Sequence, residues 1–105
     1  MKRVLLISLL AISVHAQEFN PGRIADAIYR AEGGTHTRWP YGIKNVTTAD
    51  PRRVCLNTIR HNWRRWHQAG CPGGFIDFLA DHYCPPSVDP VGNANWKRNV
   101  KFFLK

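Results

Sequence analysis

The chain has 105 residues, with fifteen Lys and Arg against seven Asp and Glu and a formal charge of +8. That length supports one small domain with a thin core. So positive a balance suits an anionic partner such as a wall polymer, lipopolysaccharide, a membrane surface or nucleic acid. There is no internal repeat or low-complexity tract, which excludes a solenoid or a disordered tail as the basis of function.

The first residues, "MKRVLLISLLAISVHA", read as a secretory leader. Lys2 and Arg3 form the positive end, Val4 to Val14 the apolar stretch, and "VHA" the small-residue cleavage site after Ala16. The apolar stretch is too short to cross a bilayer comfortably. The reading is a signal peptide over 1–16 and one domain over 17–105, exported to the periplasm or the extracellular space. The mature chain of about 89 residues keeps a charge of +6. It holds no further apolar segment for stable membrane insertion, and a monomer is expected.

Ile24, Ala27, Ile28 and Ala31 recur at helical spacing, and Gly33-Gly34 ends that helix. Glu32 therefore falls on the last turn, where a negative charge opposes the helix dipole. "THTRWPYGIKNVTT" follows with β-branched and aromatic residues but no helical period. It predicts a short irregular or β-hairpin lobe. Its "NVT", Asn45 to Thr47, fits a glycosylation sequon by chance composition.

"ADPRRV" is a helix start, with Asp50 as N-cap and Pro51 in the first turn. The helix predicted from there runs to about Gln68. Leu56, Ile59, Trp63 and Trp66 form its apolar stripe, and Arg60 and Arg64 face outward. "AGCPGG" ends it. A third helix is predicted over Gly74 to Tyr83, with Phe75, Phe78 and Leu79 inward. "CPPSVDPVG" reads as a turn-rich connection. A last helix, from Asn93 or Asn95 to Leu104, is expected to bury Trp96, Val100 and Phe103. The fold class is mainly α.

Three cysteines, Cys55, Cys71 and Cys84, leave an odd thiol in an exported chain. A Cys55–Cys84 bridge would staple the second helix to the end of the third, closing a loop of roughly 30 residues worth about 3 kcal/mol. Cys71 with Cys84 is the rival pairing. His36, His61, His67 and His82 show no ligand spacing with Cys or carboxylate, so neither metal nor cofactor is expected.

A helix ending in Glu32, the Gly33-Gly34 loop, the aromatic-glycine-aliphatic turn "YGIKN" and the closing "HYCPPSVDPVGNANWKRNV" resemble the lysozyme-like superfamily. The nearest branch is the lytic transglycosylases and small muramidases. Gly33 stands where that family usually has Ser, Asn45 where it has Gln, and its "AYN" motif has no counterpart. The resemblance implies a small lysozyme-like helical domain and cleavage of the β-1,4 bond between N-acetylmuramic acid and N-acetylglucosamine. It implies Glu32 as the catalytic acid and Tyr41, Gly42, Ile43 and Asn45 as the cleft turn. His36 and Trp39 fall beside that turn as further sugar contacts. Peptidoglycan strands, not nucleic acid, are then the expected partner.

The chemistry fits a lone carboxylate. Glycosidic cleavage needs an acid to protonate the leaving oxygen while positive charge builds on the sugar. Apolar walls keep such a carboxyl protonated near neutral pH, and Trp39, Tyr41 and Ile43 are close in sequence to supply them. Asp50 is explained by its cap, which leaves a single-acid mechanism with either the muramic 6-hydroxyl or water as nucleophile. The alternative reading is a non-catalytic cationic wall-binding or antimicrobial protein of the same fold.

Overall fold

The computed structural model describes residues 19–43 and 49–105. The expected leader and Asn45 lie outside them. Among the described residues there are four α-helices: α1 (Pro21–Ala31), α2 (Pro51–Gln68), α3 (Phe75–Tyr83) and α4 (Pro90–Phe103).

Three of the four begin alike. Asn20, Asp50 and Asp89 each precede a proline, and each accepts a hydrogen bond from a backbone N–H three residues on. Proline has no N–H to lose in the first turn, and the cap oxygen satisfies one of the donors left open there. Helix α4 therefore starts at Pro90, three residues earlier than the earlier of the two predicted starts. The "DP" pair at 89–90 is the same device as the pair at 50–51. At the far end of α2 the chain reverses through Gly70, at φ +86°. Cys71 N–H donates to the Trp66 carbonyl at 2.9 Å and Gly70 N–H to the His67 carbonyl at 3.0 Å, closing a Schellman motif.

Helices α1 and α3 each pack on both α2 and α4, so the four close around one core. Ile28, Ile59, Leu79 and Val100 are fully buried there, with Cys55 and the polar Asn62. Asn62 is paid no penalty for burial because its amide donates to the Thr58 carbonyl at 2.9 Å and accepts from Arg65 at 2.9 Å. Trp63 stacks on Phe19 with centroids 3.8 Å apart and meets Phe75 edge-on. The aromatics of "HNWRRWHQ" thus pack inward while Arg60 and Arg64 are exposed.

Helix α1 runs antiparallel to α4. The Arg23 guanidinium, at the start of α1, donates to the Leu104 carbonyl past the end of α4, while Ala31, at the end of α1, lines one pocket with Gly92 and Trp96 of α4. The lobe after α1 is irregular: two 3-10 turns, Gly34–His36 and Pro40–Gly42, with no strand among the described residues. The hairpin alternative is not realised in them. Phe103, expected inside, is 37% exposed, and Phe102 beside it 61%. The end of α4 projects past the core that buries Val100.

No helix among the described residues is long and apolar enough to cross a membrane. All three cysteines are free thiols. The Cys55–Cys84 bridge is therefore not formed, nor is its rival. Cys55 is buried with its sulfur 3.3 Å from the Tyr83 hydroxyl. The Cys84 sulfur instead faces the Asp89 carbonyl, and Cys71 is exposed beside His67.

Candidate functional site

Glu32 caps the C-terminus of α1, its N–H bonded to the Ile28 carbonyl at 2.9 Å. Gly33 follows at φ +105°, in the left-handed region that glycine enters without cost. The chain then loops back so that Gly42 lies directly under the Glu32 side chain. A Cβ on Gly42 would stand 3.0 Å from the Glu32 carboxyl carbon and 3.1 Å from Oε2. Gly42 is itself at φ +69°. The backbone angle favours glycine, and a Cβ there would press on the carboxylate.

Helix ends complete a pocket of about 270 Å³ around that carboxylate. Ala31 and Glu32 come from α1, Gly42 from the second 3-10 turn, and Tyr83 and Cys84 from the end of α3. Helix α4 contributes Gly92, Trp96 and Asn99. Among the described lining residues Glu32 is the only carboxylate. Asp50 is engaged at the head of α2, accepting from Arg53 N–H at 3.0 Å and ion-paired with its guanidinium.

Part of the pocket wall is aromatic. Tyr83 and Trp96 stack with centroids 5.1 Å apart and planes 21° from parallel. Burial pushes the Tyr83 phenol far above its ordinary range, and the Cys55 beside it and the Glu32 charge push the same way. Burial also raises the Cys55 thiol, against opposing effects of Tyr83 and Arg52. The pair behind the pocket therefore stays neutral, and both of its members feel the charge on Glu32. The indole N–H of Trp96 is buried and has no hydrogen-bond partner among the described residues.

The sequence-predicted site residues divide. Glu32 and Gly42 come together. Tyr41 does not face the pocket: it is 8% exposed, packed 5.0 Å from the Tyr29 ring, with Arg52 reaching its hydroxyl. Arg52 is held there by Asp26 at 2.6 Å. Tyr41 at φ +60° is the strained member of the turn, and its burial holds the strain in place. Ile43 packs against the core. Trp39 is half-buried under the Arg38 guanidinium, and His36 is exposed on the first 3-10 turn; neither lines the pocket.

Tyr83, Cys84, Gly92 and Asn99 line the pocket with no counterpart among the sequence-predicted site residues, and Trp96, expected in the core in preference to a sugar contact, lines it as well. One signal marks those on α4. "GNANWKRN" opens α4 with glycine and asparagines, poor helix formers, around a tryptophan. Among the described residues no three His, Cys, Asp or Glu gather as a metal site.

Comparison with protein families, with curated proteins and with solved structures finds no match for this chain.

Proposed function

We propose that this protein is a lysozyme-like peptidoglycan-cleaving enzyme, a lytic transglycosylase or muramidase, with Glu32 as its acid and base. The observation that carries the reading is one carboxylate at a helix end, seated over the Cα of Gly42 in a concave pocket with aromatic walls. Of the two motifs that carry the resemblance, "AEGG" and "YGIKN", Glu32 and Gly42 are the residues that meet.

Glu32 would protonate the glycosidic oxygen as the bond breaks, then withdraw the proton from the incoming nucleophile. Gly42 would let the carboxylate keep its position, since a larger residue beneath it would push it aside. The neutral Tyr83–Cys55 pair would leave Glu32 as the group that changes charge. With one acid among the described lining residues, the second role would fall to the sugar's own acetamido group, as in substrate-assisted glycosidases. The muramic 6-hydroxyl as nucleophile gives a 1,6-anhydro end; water gives a reducing end. Export, read from the leader, would bring the enzyme to its substrate.

The test is mass spectrometry of purified peptidoglycan digested by the mature protein, wild type beside Glu32→Gln. Anhydromuropeptides from wild type alone support a transglycosylase, and reducing ends a hydrolase. A folded wild-type protein that binds the wall and releases nothing refutes the enzyme.

A second reading has its own support. Residues 51–76 contain five arginines and no acidic residue, and Arg60 and Arg64 are exposed on α2. A cationic wall-binding protein without catalysis would need that face and not Glu32. Its signature is wall retention in Glu32→Gln equal to wild type, with no products from either.

A further inference from the structure

The turn beneath Glu32 is built against the backbone preference of one of its residues. Tyr41 at φ +60° and Gly42 at φ +69° are left-handed in succession. The Gly42 N–H donates to the Trp39 carbonyl at 3.0 Å, and the Ile43 N–H to the Pro40 carbonyl at 3.3 Å. Glycine enters this region freely and a tyrosine does not. Such strain lasts only where the surroundings fix the residue from several sides. For Tyr41 those sides can be named. Its ring lies 5.0 Å from that of Tyr29, and its hydroxyl meets Arg52.

Arg52 joins three pieces of the fold. From the first turn of α2 its guanidinium reaches the Asp26 carboxylate on α1 at 2.6 Å. It also reaches the Gly22 carbonyl and the Tyr41 hydroxyl, each at 3.5 Å. Gly22 and Asp26 are four apart, so both contacts lie on one side of α1. Stability is a poor account of this arrangement. The side chains of the Arg52–Asp26 pair are 42% and 64% exposed, a setting in which an ion pair contributes little. The other two contacts are at long hydrogen-bond distance. What a planar, forked donor adds is direction. It relates the head of α2, the side of α1 and the phenol of Tyr41 to one another. Its neighbour Arg53 differs, pairing with Asp50, the cap of its own helix.

We propose that Arg52 is a positioning residue of the Glu32 site. Helix α1 ends at Glu32, and the residue after Tyr41 is the glycine under that carboxylate. By tying α1 to the phenol, Arg52 keeps the strained turn closed and Gly42 against the acid. Arg52 is not among the residues lining the pocket. It touches no reacting atom and acts through Tyr41 and Gly42. The inference rests on the pocket being the site of glycan cleavage, and it adds which remote side chain sets the placement of the acid.

The experiment reads placement and rate separately. Placement is the backbone amide NMR signal of Gly42, and rate is kcat and KM for cleavage of solubilised glycan strands. Arg52→Gln should move the Gly42 signal and lower kcat about tenfold with KM nearly unchanged, the mark of an acid displaced by a fraction of an ångström. Arg52→Lys keeps the charge and loses the fork, so it should fall nearly as far. Tyr41→Phe, which leaves the ring and the turn in place, should shift Gly42 in the same sense by less. Added to Arg52→Gln it should lower the rate no further, because hydroxyl and guanidinium act as one unit. Arg53→Gln, which loses an exposed ion pair one position along, should leave signal and rate as in wild type. An unmoved Gly42 signal in folded Arg52→Gln, full rescue by lysine, additive losses in the double variant or an equal loss in Arg53→Gln each overturn the proposal. A folded wild type that cleaves nothing overturns the peptidoglycan reading instead, and the Gly42 shifts in the same variants then decide the clamp by themselves.

Discussion

Replacing Gly42 with alanine tests the site at its narrowest point. The added Cβ would lie 3.0 Å from the Glu32 carboxyl carbon and 3.1 and 3.3 Å from its two oxygens. Ordinary contact begins near 3.4 Å. The contact is with the far end of a flexible side chain and not with backbone, so the carboxylate shifts by several tenths of an ångström and the fold survives. Two costs follow. Alanine at φ +69° adds backbone strain of about 1–2 kcal/mol, a melting temperature lower by roughly 4–15 °C for a domain this size. The displaced acid costs activity far more, because a misplacement of about 1 Å is worth roughly 100-fold.

Gly70→Ala isolates the first cost. Gly70 is also left-handed, at φ +86°, but its Cβ would meet nothing within 4 Å. The two variants should melt lower by similar amounts, while muropeptide release falls at least about tenfold further in Gly42→Ala. The assay is release of soluble muropeptides from purified wall at a temperature where circular dichroism shows both folded. Equal activity in the two variants would falsify the claim that Gly42 positions Glu32.

Three further outcomes are expected. Iodoacetamide followed by mass spectrometry should label exposed Cys71 first and buried Cys55 only after unfolding, with three modifiable thiols in all; a persistent pair of protected cysteines would reinstate the disulfide. Stability should fall as pH rises through 9 to 10. The folded-state Cys55 and Tyr83 groups are raised above their ordinary 9.0 and 10.0, so in that window the unfolded chain gives up protons the folded one retains. Urea midpoints between pH 8 and 10.5 read this, and Tyr83→Phe should flatten the fall; a midpoint that rises over that range counts against the buried pair. Arg60→Gln with Arg64→Gln should weaken retention on isolated wall and reduce its salt dependence, as measured by pull-down across a salt series. Unchanged retention would mean the α2 face does not bind.

The helices were legible because their signals are local. Asp50-Pro51 marked α2, and the spacing of Ile24, Ala27 and Ile28 marked α1. The Asp89-Pro90 start of α4 carried the same mark, hidden among Pro85, Pro86 and Gly92, which suggest a loop when read together. Glu32 and Gly42 were legible as a pair because only ten positions separate them. The far wall was not. Gly92, Trp96 and Asn99 lie sixty or more positions beyond Glu32, and only the packing of α1 on α4 brings them there. Tyr41 erred in the opposite direction. An aromatic beside a glycine in a loop suggests a surface, and the left-handed turn with the Asp26–Arg52 pair draws its ring inside. Trp96 shows that core and cleft are not exclusive: at 7% exposure it is both.

The absence of the Cys55–Cys84 bridge raises the question of what holds α3 to α4, since that junction forms the aromatic wall. Asn93 answers much of it. It is 4% exposed, and its amide nitrogen donates to the Asp81 carboxylate at 3.0 Å and the Cys84 carbonyl at 2.8 Å. One side chain on α4 thus fastens the final turn of α3 and the residue after it. Lys97–Asp81 and Lys101–Asp77 add ion pairs across the same seam, but all four groups are at least 31% exposed and contribute little. Asn93→Ala should therefore cost about 1–3 kcal/mol, mostly from leaving the Cys84 carbonyl and Asp81 without their donor. Lys101→Ala should cost less than about 1 kcal/mol. Urea denaturation of the two variants gives the comparison. The Asn93 variant should also lose activity while still folded, as Tyr83 and Trp96 drift apart and the pocket loses its wall. If Lys101→Ala proves the more damaging, surface charge and not the buried amide holds the wall, and the cleft should then open at high salt.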